Sequence, residues 1–270
     1  MGKPQLIAIA SAVALFLALF FGCPTQSKEQ VKAENSRQII AMKGDKAVDV
    51  NNIMQAAVQS ISPQQRETIA KIEEQLQKVV DEPSKKAESI ACLKKIAGAW
   101  HDANHDEVAA LYALQIAEEE NTESAWEIAG GNFYIALQAA KTPEMQDFLG
   151  ENAIKAFESA MSLNPKNLAH KVNLAVCYAE HPPKENPMKG TLMLLDMVKE
   201  SPDNPMVNLQ LGRLGIKTGQ FEKAIKRLEV VLKANPDDVR ANCFIAQAYE
   251  GMGDTQNALK FGEKCNKAKK

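Results

Sequence analysis

The sequence lacks several features that would point to a particular chemistry. Its five cysteines lie far apart and include no C-x-x-C pair, so their spacing predicts neither a zinc ribbon nor a disulfide framework. Cys92, Cys177, Cys243 and Cys265 are therefore expected to be buried thiols, because free cysteine packs as a small hydrophobic side chain. Thirty-two basic residues against 34 acidic ones leave a formal net charge of −2. No overall field therefore draws the chain to nucleic acid.

Motifs of catalysis and of phosphate binding are also scarce. The sequence contains no G-x-S-x-G nucleophile elbow, and no glycine-rich loop follows a strand, because no stretch predicts a strand. Gly130 and Gly131 lie inside a predicted helix, where small residues permit close packing. We interpret both as structural. These absences argue against an enzyme, and no cofactor is expected.

Two histidines four residues apart, His101 and His105, form the one cluster that resembles a metal site. A zincin motif would need glutamate in place of Asp102 and a continuous helix through both histidines. The sequence instead predicts a turn at Ala103 and Asn104. A solvated turn between two helices is thus the main interpretation, and a metal-dependent enzyme at this turn ranks third among the functional hypotheses.

What the chain does have is helical periodicity, which is clearest at residues 204–238. Two apolar stripes flank a break at residues 217–220. Gly219 stands where a helix would end with a positive φ, and Pro236 stands where a second helix could not continue. The apolar positions recur at helical spacing on both sides of the break: Val207, Leu211, Leu214, Gly215, Phe221, Ala224, Ile225, Leu228, Val231 and Leu232. The pattern predicts two amphipathic helices joined by a short turn.

The same pattern recurs along the chain, with Gly219 matched by Gly253 and Ala224 matched by Ala258. Here the chain resembles the tetratricopeptide-repeat family, whose signature W-x2-L-G-x2-Y, then A-x3-F, then P is matched in part by each unit. The resemblance implies an all-α, right-handed α-solenoid of about five helical hairpins at residues 90–270. Their approximate bounds are 90–122, 123–167, 168–204, 205–238 and 239–270.

An uncharged apolar run at residues 6–22 precedes the repeats and has about the minimum length that spans a bilayer as a helix. It ends at Cys23, in a sequence that resembles a bacterial lipoprotein cleavage site, where the cysteine is lipidated. Residues 1–23 are therefore interpreted either as an uncleaved membrane anchor or as a lipoprotein signal. Both place the repeats in a bacterial cell envelope, facing the periplasm or the exterior, since the flank carrying Lys3 stays inside.

Two further segments separate this run from the repeats. Residues 24–45 are polar with little periodicity and are interpreted as a tether. Residues 46–89 predict a helical stalk or amino-terminal cap, in which Ser62, Pro63 and Gln65 form a capping box. The helix that follows carries an apolar stripe: Ile69, Ile72, Leu76, Val79 and Val80. We expect it to cover the open end of the solenoid, and a dimerising coiled coil is the alternative.

In the family, the first helix of each hairpin lines a concave groove. The resemblance implies a groove here of mixed apolar and basic character, lined by Val172, Val176, Met206, Leu209, Arg213, Ile216, Lys217, Arg240 and Gln247. It further implies a membrane-tethered scaffold or assembly factor, without catalysis of its own, that binds a peptide or protein partner in this groove. A structural envelope protein that self-associates as a homo-oligomer is the alternative.

Overall fold

The computed structural model describes residues 48–267. The predicted anchor at residues 1–23, with Cys23, and the tether at residues 24–45 lie outside the described residues. Within residues 48–267, no helix combines the length and the apolar character needed to cross a membrane.

Helices joined by short turns make up the described part of the chain, as expected for an all-α protein. A single 3-10 turn, Pro83–Lys85, precedes the third helix. In chain order the helices are α1 (Val50–Ser60), α2 (Pro63–Gln77), α3 (Lys86–Asp102), α4 (Asp106–Glu120), α5 (Glu123–Ala139), α6 (Pro143–Leu163), α7 (Leu168–Glu180), α8 (Lys189–Glu200), α9 (Pro205–Lys217), α10 (Phe221–Ala234), α11 (Val239–Met252) and α12 (Thr255–Lys267).

From α3 onward the helices pack as five successive hairpins: α3 with α4, α5 with α6, α7 with α8, α9 with α10, and α11 with α12. Each hairpin also packs on the next, because α4 contacts α5, α6 contacts α7, α8 contacts α9 and α10 contacts α11. This arrangement, in which each unit leans on its sequence neighbours, is that of an α-solenoid.

Local capping chemistry explains where these helices begin and end. The capping box at Ser62 is present: its side chain accepts from the backbone N–H of Gln65, while the Gln65 side chain accepts from the backbone N–H of Ser62. The side chains of Asn204 and Asp238 cap α9 and α11 by accepting from the backbone N–H of Val207 and of Ala241. At the other end, Gly219 has φ 72°, as its position in the turn predicts. The hairpin turn therefore follows from the sequence of the turn itself.

The first two helices lie against the first hairpin. α2 packs on α3, and α1 contacts α4. Ile69 and Leu76, from the predicted stripe of α2, are buried, and Tyr112 of α4 donates a hydrogen bond to Glu73 of α2 over 3.2 Å. The apolar face of α2 is thus directed at the first hairpin.

A disulfide between Cys243 of α11 and Cys265 of α12 closes the last hairpin, with a Cα–Cα distance of 4.8 Å. The expectation that these two residues are buried thiols is wrong. They lie 22 residues apart and meet only because the hairpin folds α12 back along α11, which no local motif reveals. Cys92 and Cys177 are buried free thiols, as expected, and burial raises the pKa of Cys177 to about 12.

Candidate functional site

A cavity of about 600 Å³ crosses the first helices of four successive hairpins. Its walls come from α5, α7, α9 and α11, together with one aromatic ring of α6. The lining residues are Glu127, Ile128, Gly131, Tyr134, Ile135, Phe157, Asn173, Val176, Leu209, Gln210, Arg213, Arg240 and Phe244. The cavity therefore lies on the face that the resemblance assigns to a binding groove.

The α5 wall of the cavity is apolar and exposed. Ile128 and Ile135 lie two helical turns apart, with 57% and 49% of their surface accessible. Tyr134 stands beside them and packs partly against the core around α7. Large aliphatic side chains this exposed, grouped at one concave surface, are typical of a binding site.

Two consecutive glycines of α5 have different roles. A Cβ atom on Gly130 would lie 2.9 Å from the Phe157 ring, so this glycine allows α6 to approach closely. A Cβ atom on Gly131 would meet nothing within 4 Å, and Gly131 lines the cavity. The interpretation of both glycines as packing residues is therefore wrong for Gly131. This residue lowers helix propensity while keeping the cavity wall open.

The cavity lies where the first helices of two hairpins separate. Among the described helices, α7 packs on α9 and α9 packs on α11, whereas α5 and α7 contact each other much less extensively. The second helix of the hairpin, α6, remains packed against α7. The second and third hairpins are thus joined mainly through α6 and α7, and the cavity borders the less tightly packed side.

An acid that sequence reasoning missed, Glu180, is largely enclosed and pairs with two of the predicted groove residues. The Glu180 carboxylate, at the end of α7, accepts hydrogen bonds from Arg213 Nη1 and Lys217 Nζ, each over 2.7 Å. Burial raises the pKa of the Glu180 carboxyl, but hydrogen bonds and charges from Lys217 and Arg213 outweigh burial and hold this pKa below its ordinary value. One ionised acid therefore pairs with two of the three predicted positive charges and offsets one of them.

Arg240, which carries the third predicted positive charge, is more accessible to a ligand. Arg240 is 70% exposed in its side chain, and its guanidinium lies 3.7 Å from the Asp238 carboxylate. Arg213, by contrast, is largely enclosed, with Nε donating to Gln210 over 3.2 Å. Arg240 is thus the cavity residue best placed to offer a positive charge to a ligand.

The structure brings together only part of the predicted groove. Val176, Leu209, Arg213 and Arg240 line the cavity. The other predicted residues are placed elsewhere: Val172 in the core with Leu194 and Val207, Ile216 against the core cluster around Leu228, and Met206, Lys217 and Gln247 exposed to solvent. A role in binding stays a prediction for all nine.

The α5 side of the cavity, from Glu127 to Ile135, had not been predicted. The signal that could have revealed it is two isoleucines seven residues apart with a glycine between them, on a helix whose opposite face carries the core residues Ala129, Phe133 and Ala136.

His101 and His105 lie at the turn between α3 and α4, and each has its own hydrogen-bond partners. α3 ends at Asp102, and Asn104 takes a φ of 62°, which confirms the predicted turn. His101 Nδ1 lies 2.6 Å from Asp106 Oδ1, and His105 bridges Glu107 at 2.7 Å and Ser60 at 2.6 Å. Among the described residues no group of three His, Cys, Asp or Glu side chains is arranged to hold a metal ion.

The pKa of His101 lies above its ordinary value, chiefly because of its hydrogen bond with Asp106, which stabilises the protonated ring.

Stacked helical hairpins whose first helices border a concave cavity define a helical-repeat protein of the solenoid class. Residues 193–248 and 239–270 match two family models described as tetratricopeptide repeat. Residues 193–270 of the chain therefore carry tetratricopeptide repeats.

Individual relatives are more distant. Over 130 residues the chain is 28% identical to lipopolysaccharide assembly protein B of Haemophilus influenzae, a match covering 47% of this chain and 30% of that protein. The chain therefore corresponds to less than a third of that relative's length.

Two solved structures are similar to the chain at low sequence identity. YrrB, described as a TPR protein with an unusual peptide-binding site, is 17% identical with a TM-score of 0.37, over 70% of this chain and 90% of that one. A MamA fragment from Desulfovibrio magneticus is 14% identical with a TM-score of 0.41, over 66% and 93%. These likenesses are too distant to carry functional detail.

Proposed function

We propose that this protein is a non-catalytic scaffold or assembly factor that binds a peptide or protein partner in the cavity described above. The observation that carries the proposal is the open apolar wall formed by Ile128, Gly131 and Ile135. A side chain added at Gly131 would meet no atom within 4 Å of its Cβ, and Ile128 and Ile135 on the same face of α5 are exposed. Burying such side chains under a partner removes apolar surface from water, which is the main favourable term in association.

The lining residues also suggest the chemistry of the partner. The α5 wall would take an apolar side chain, while Arg240 on the far wall would favour an acidic group. Glu127, on the same wall as Ile128, would oppose a second acid placed near α5. A segment with one apolar anchor, followed at some distance by an acidic residue, fits this arrangement.

We also propose that the protein acts in a bacterial envelope, tethered by the apolar run at residues 6–22 or by a lipidated Cys23, with the repeats in the periplasm or outside. Two observations support this location. The Cys243–Cys265 disulfide suits an oxidising compartment, since disulfides are rare in the cytosol. The similarity to a lipopolysaccharide assembly protein also suggests envelope work.

The tether can be tested by mass. If Cys23 is lipidated, the mature protein loses residues 1–22 and gains acyl chains, and Cys23→Ser leaves a larger, uncleaved chain. An intact mass of the native protein that includes Met1 or Gly2 would instead leave only the uncleaved anchor.

The binding site can be tested with a matched pair of glycine variants. Gly131→Phe places a ring in the cavity, whereas Gly98→Phe places the same ring on α3, at a helical glycine that also has open space around its Cβ position. Partners are captured from detergent extracts by each tagged variant and compared by quantitative mass spectrometry. We expect Gly131→Phe to lose the partners that the wild type and Gly98→Phe both retain. Equal recovery by all three would place the binding surface elsewhere.

The same pair of variants tests self-association, because a second copy could occupy the same apolar wall. In that case Gly131→Phe, but not Gly98→Phe, converts an oligomer of the purified protein into a monomer in sedimentation velocity.

A further inference from the structure

The Cys243–Cys265 disulfide joins α11 to α12 at positions where the preceding hairpin, α9 with α10, has packed apolar side chains. One repeat period of about 34 residues places Cys243 at the position of Leu209 and Cys265 at the position of Val231. Leu209 and Val231 belong to one buried cluster that holds α9 and α10 together with α11. The disulfide therefore stands in for a pair of packed aliphatic side chains.

Other packing in the last hairpin is weaker at the matching positions. Leu228 of α10 is fully buried, and it lies so close to Gly212 that a Cβ there would come within 2.6 Å. The residue that corresponds to Leu228 is Gly262, whose Cβ position meets nothing within 4 Å. A large buried side chain is thus missing from the interface of α11 with α12.

A buried hydrogen bond is missing as well. Asn208 Oδ1 accepts from Arg227 Nη1 over 3.2 Å. The corresponding Asn242 Oδ1 is buried without a partner, because Phe261 stands where the arginine would be. Phe261 stacks on Tyr249 with ring centroids 5.8 Å apart. This stacking joins α12 to α11 but leaves Asn242 Oδ1 unpaired.

The position of α11 matters for the cavity. Cys243 is adjacent to Phe244 and about one helical turn beyond Arg240, and both of these residues line the cavity. In the described part of the chain, α12 has α11 as its main packing partner. Loss of α12 would therefore uncover one side of the helix that forms the carboxy-terminal wall of the cavity.

We propose that Cys243 and Cys265 form a site of reversible thiol–disulfide exchange, which locks α12 onto α11 when oxidised and releases it when reduced. The reductant is a dithiol, either small or carried by an oxidoreductase. One of its thiolates attacks a sulfur of the pair, the Cys243–Cys265 bond breaks, and the other cysteine leaves as a thiolate. The second thiol of the reductant then resolves the mixed disulfide. Two electrons pass to the protein, Cys243 and Cys265 take up two protons, and the dithiol becomes a disulfide.

Exposure favours exchange at this pair over the other described cysteines. Cys243 and Cys265 are both partly exposed, whereas Cys92 and Cys177 are buried. The pair is therefore more accessible to a reductant than either buried thiol.

The proposal is tested by hydrogen exchange on the intact chain, with and without dithiothreitol as the dithiol. Closing a loop of 22 residues restricts the open state by roughly three-hundredfold. We expect amides of α12 to exchange faster by about that factor on reduction, amides of α11 to follow to a smaller degree, and α3 to α6 to stay unchanged.

Two control variants separate the pair from other effects of the reductant. Cys92→Ala/Cys177→Ala keeps the disulfide and should keep the full response. Cys243→Leu/Cys265→Val installs the residues that the preceding hairpin uses, and it should protect α12 whether or not dithiothreitol is present.

Unchanged exchange in α12 on reduction, with peptide mapping that shows both thiols free, would overturn the proposal. So would two free thiols at Cys243 and Cys265 in the protein as isolated from its native envelope. Only the consequence for ligand binding rests on the proposed function. Hydrogen exchange is measured without a partner. Failure of Gly131→Phe to lose its partners and failure of α12 to respond to the reductant are therefore separate outcomes.

Discussion

The fourth hairpin, α9 with α10, and the fifth, α11 with α12, share one register and much of their local chemistry. Their turns end at Gly219 and Gly253, which both take a positive φ. Asn208 and Asn242 occupy the same position, and each donates to the carbonyl of a proline six residues earlier, over 2.7 and 3.2 Å. The elements that start, turn and stop the two hairpins are therefore the same.

The difference lies in what holds each pair of helices together. The fourth hairpin has a neighbour on both sides, and Leu228 fills its interior. The fifth packs mainly on the fourth within the described residues and has a disulfide instead. Within the described residues, the fifth hairpin therefore has one inter-hairpin interface where the fourth has two, and each such interface contributes to stability in a solenoid. Covalent closure is one way to offset that difference, because it restricts the unfolded chain without needing further buried surface.

Of the changes that test this comparison, removing the Leu228 side chain from the interior of the fourth hairpin should lower stability most. Leu228→Ala leaves a cavity in a fully buried site and should lower the free energy of unfolding by about 2–5 kcal/mol. Urea denaturation measures the loss. Leu259→Ala, at an α12 side chain that is 66% exposed, serves as the control and should change stability by less than about 0.5 kcal/mol. Similar losses for the two variants would contradict the assignment of the cores.

Adding one methyl group at Gly212 should have the next largest effect. The new Cβ would lie 2.6 Å from a branch carbon of Leu228, so Gly212→Ala should destabilise the protein by about 1–3 kcal/mol. Combining it with Leu228→Gly imitates the fifth hairpin, which carries Ala246 and Gly262 at these positions. A double-mutant cycle in urea should then show a favourable coupling between the two changes. Strict additivity would mean that the two side chains do not compete for space.

Breaking the ion pairs that join the third hairpin to the fourth should have a smaller, pH-dependent effect. The folded pKa of Glu180 is depressed, so its contribution is fully present above the unfolded pKa and disappears as pH falls through the folded pKa. Glu180→Gln should cost about 1 kcal/mol at neutral pH, since exposure of Lys217 screens part of the interaction. The cost should vanish in acid. Thermal unfolding from pH 7 to pH 3 measures it, and a constant difference across that range would rule out this origin.

The smallest expected effect is a gain in the fifth hairpin. Gly262→Ala adds a methyl group where nothing lies within 4 Å, and it should raise stability by about 0.5–1 kcal/mol through helix propensity. The same substitution thus has opposite signs at Gly212 and at Gly262. Calorimetry under oxidising conditions measures both, and loss of stability at Gly262 would show that the α11–α12 interface is tighter than described.

Sequence reasoning succeeded where structure depends on neighbouring residues. Helical periodicity, the capping box at Ser62 and the positive φ of Gly219 are all local, and all were predicted. The register of the fourth and fifth hairpins could also be predicted, because equal spacing repeats the same interactions.

The remaining features depend on contacts between distant helices. The pairing of Glu180 with Arg213 and Lys217 requires α7 and α9 to lie side by side, and the disulfide requires α12 to fold along α11. The different roles of Gly130 and Gly131 could not be separated either, since successive residues of a helix point in directions about 100° apart. Which of the two faces a neighbour is decided only by packing.

The sparse contact between α5 and α7 also has a mechanical consequence. The first helices of the third, fourth and fifth hairpins pack one on the next, α7 on α9 and α9 on α11. This part of the solenoid should therefore resist bending. Between the second and third hairpins, α6 and α7 keep contact, while α5 reaches the core around α7 through Tyr134 and has few other contacts with α7. The junction is therefore less tightly packed on the cavity side. Bending of the solenoid would be easier there than between the third and fourth hairpins, and a ligand bound in the cavity would stiffen this junction.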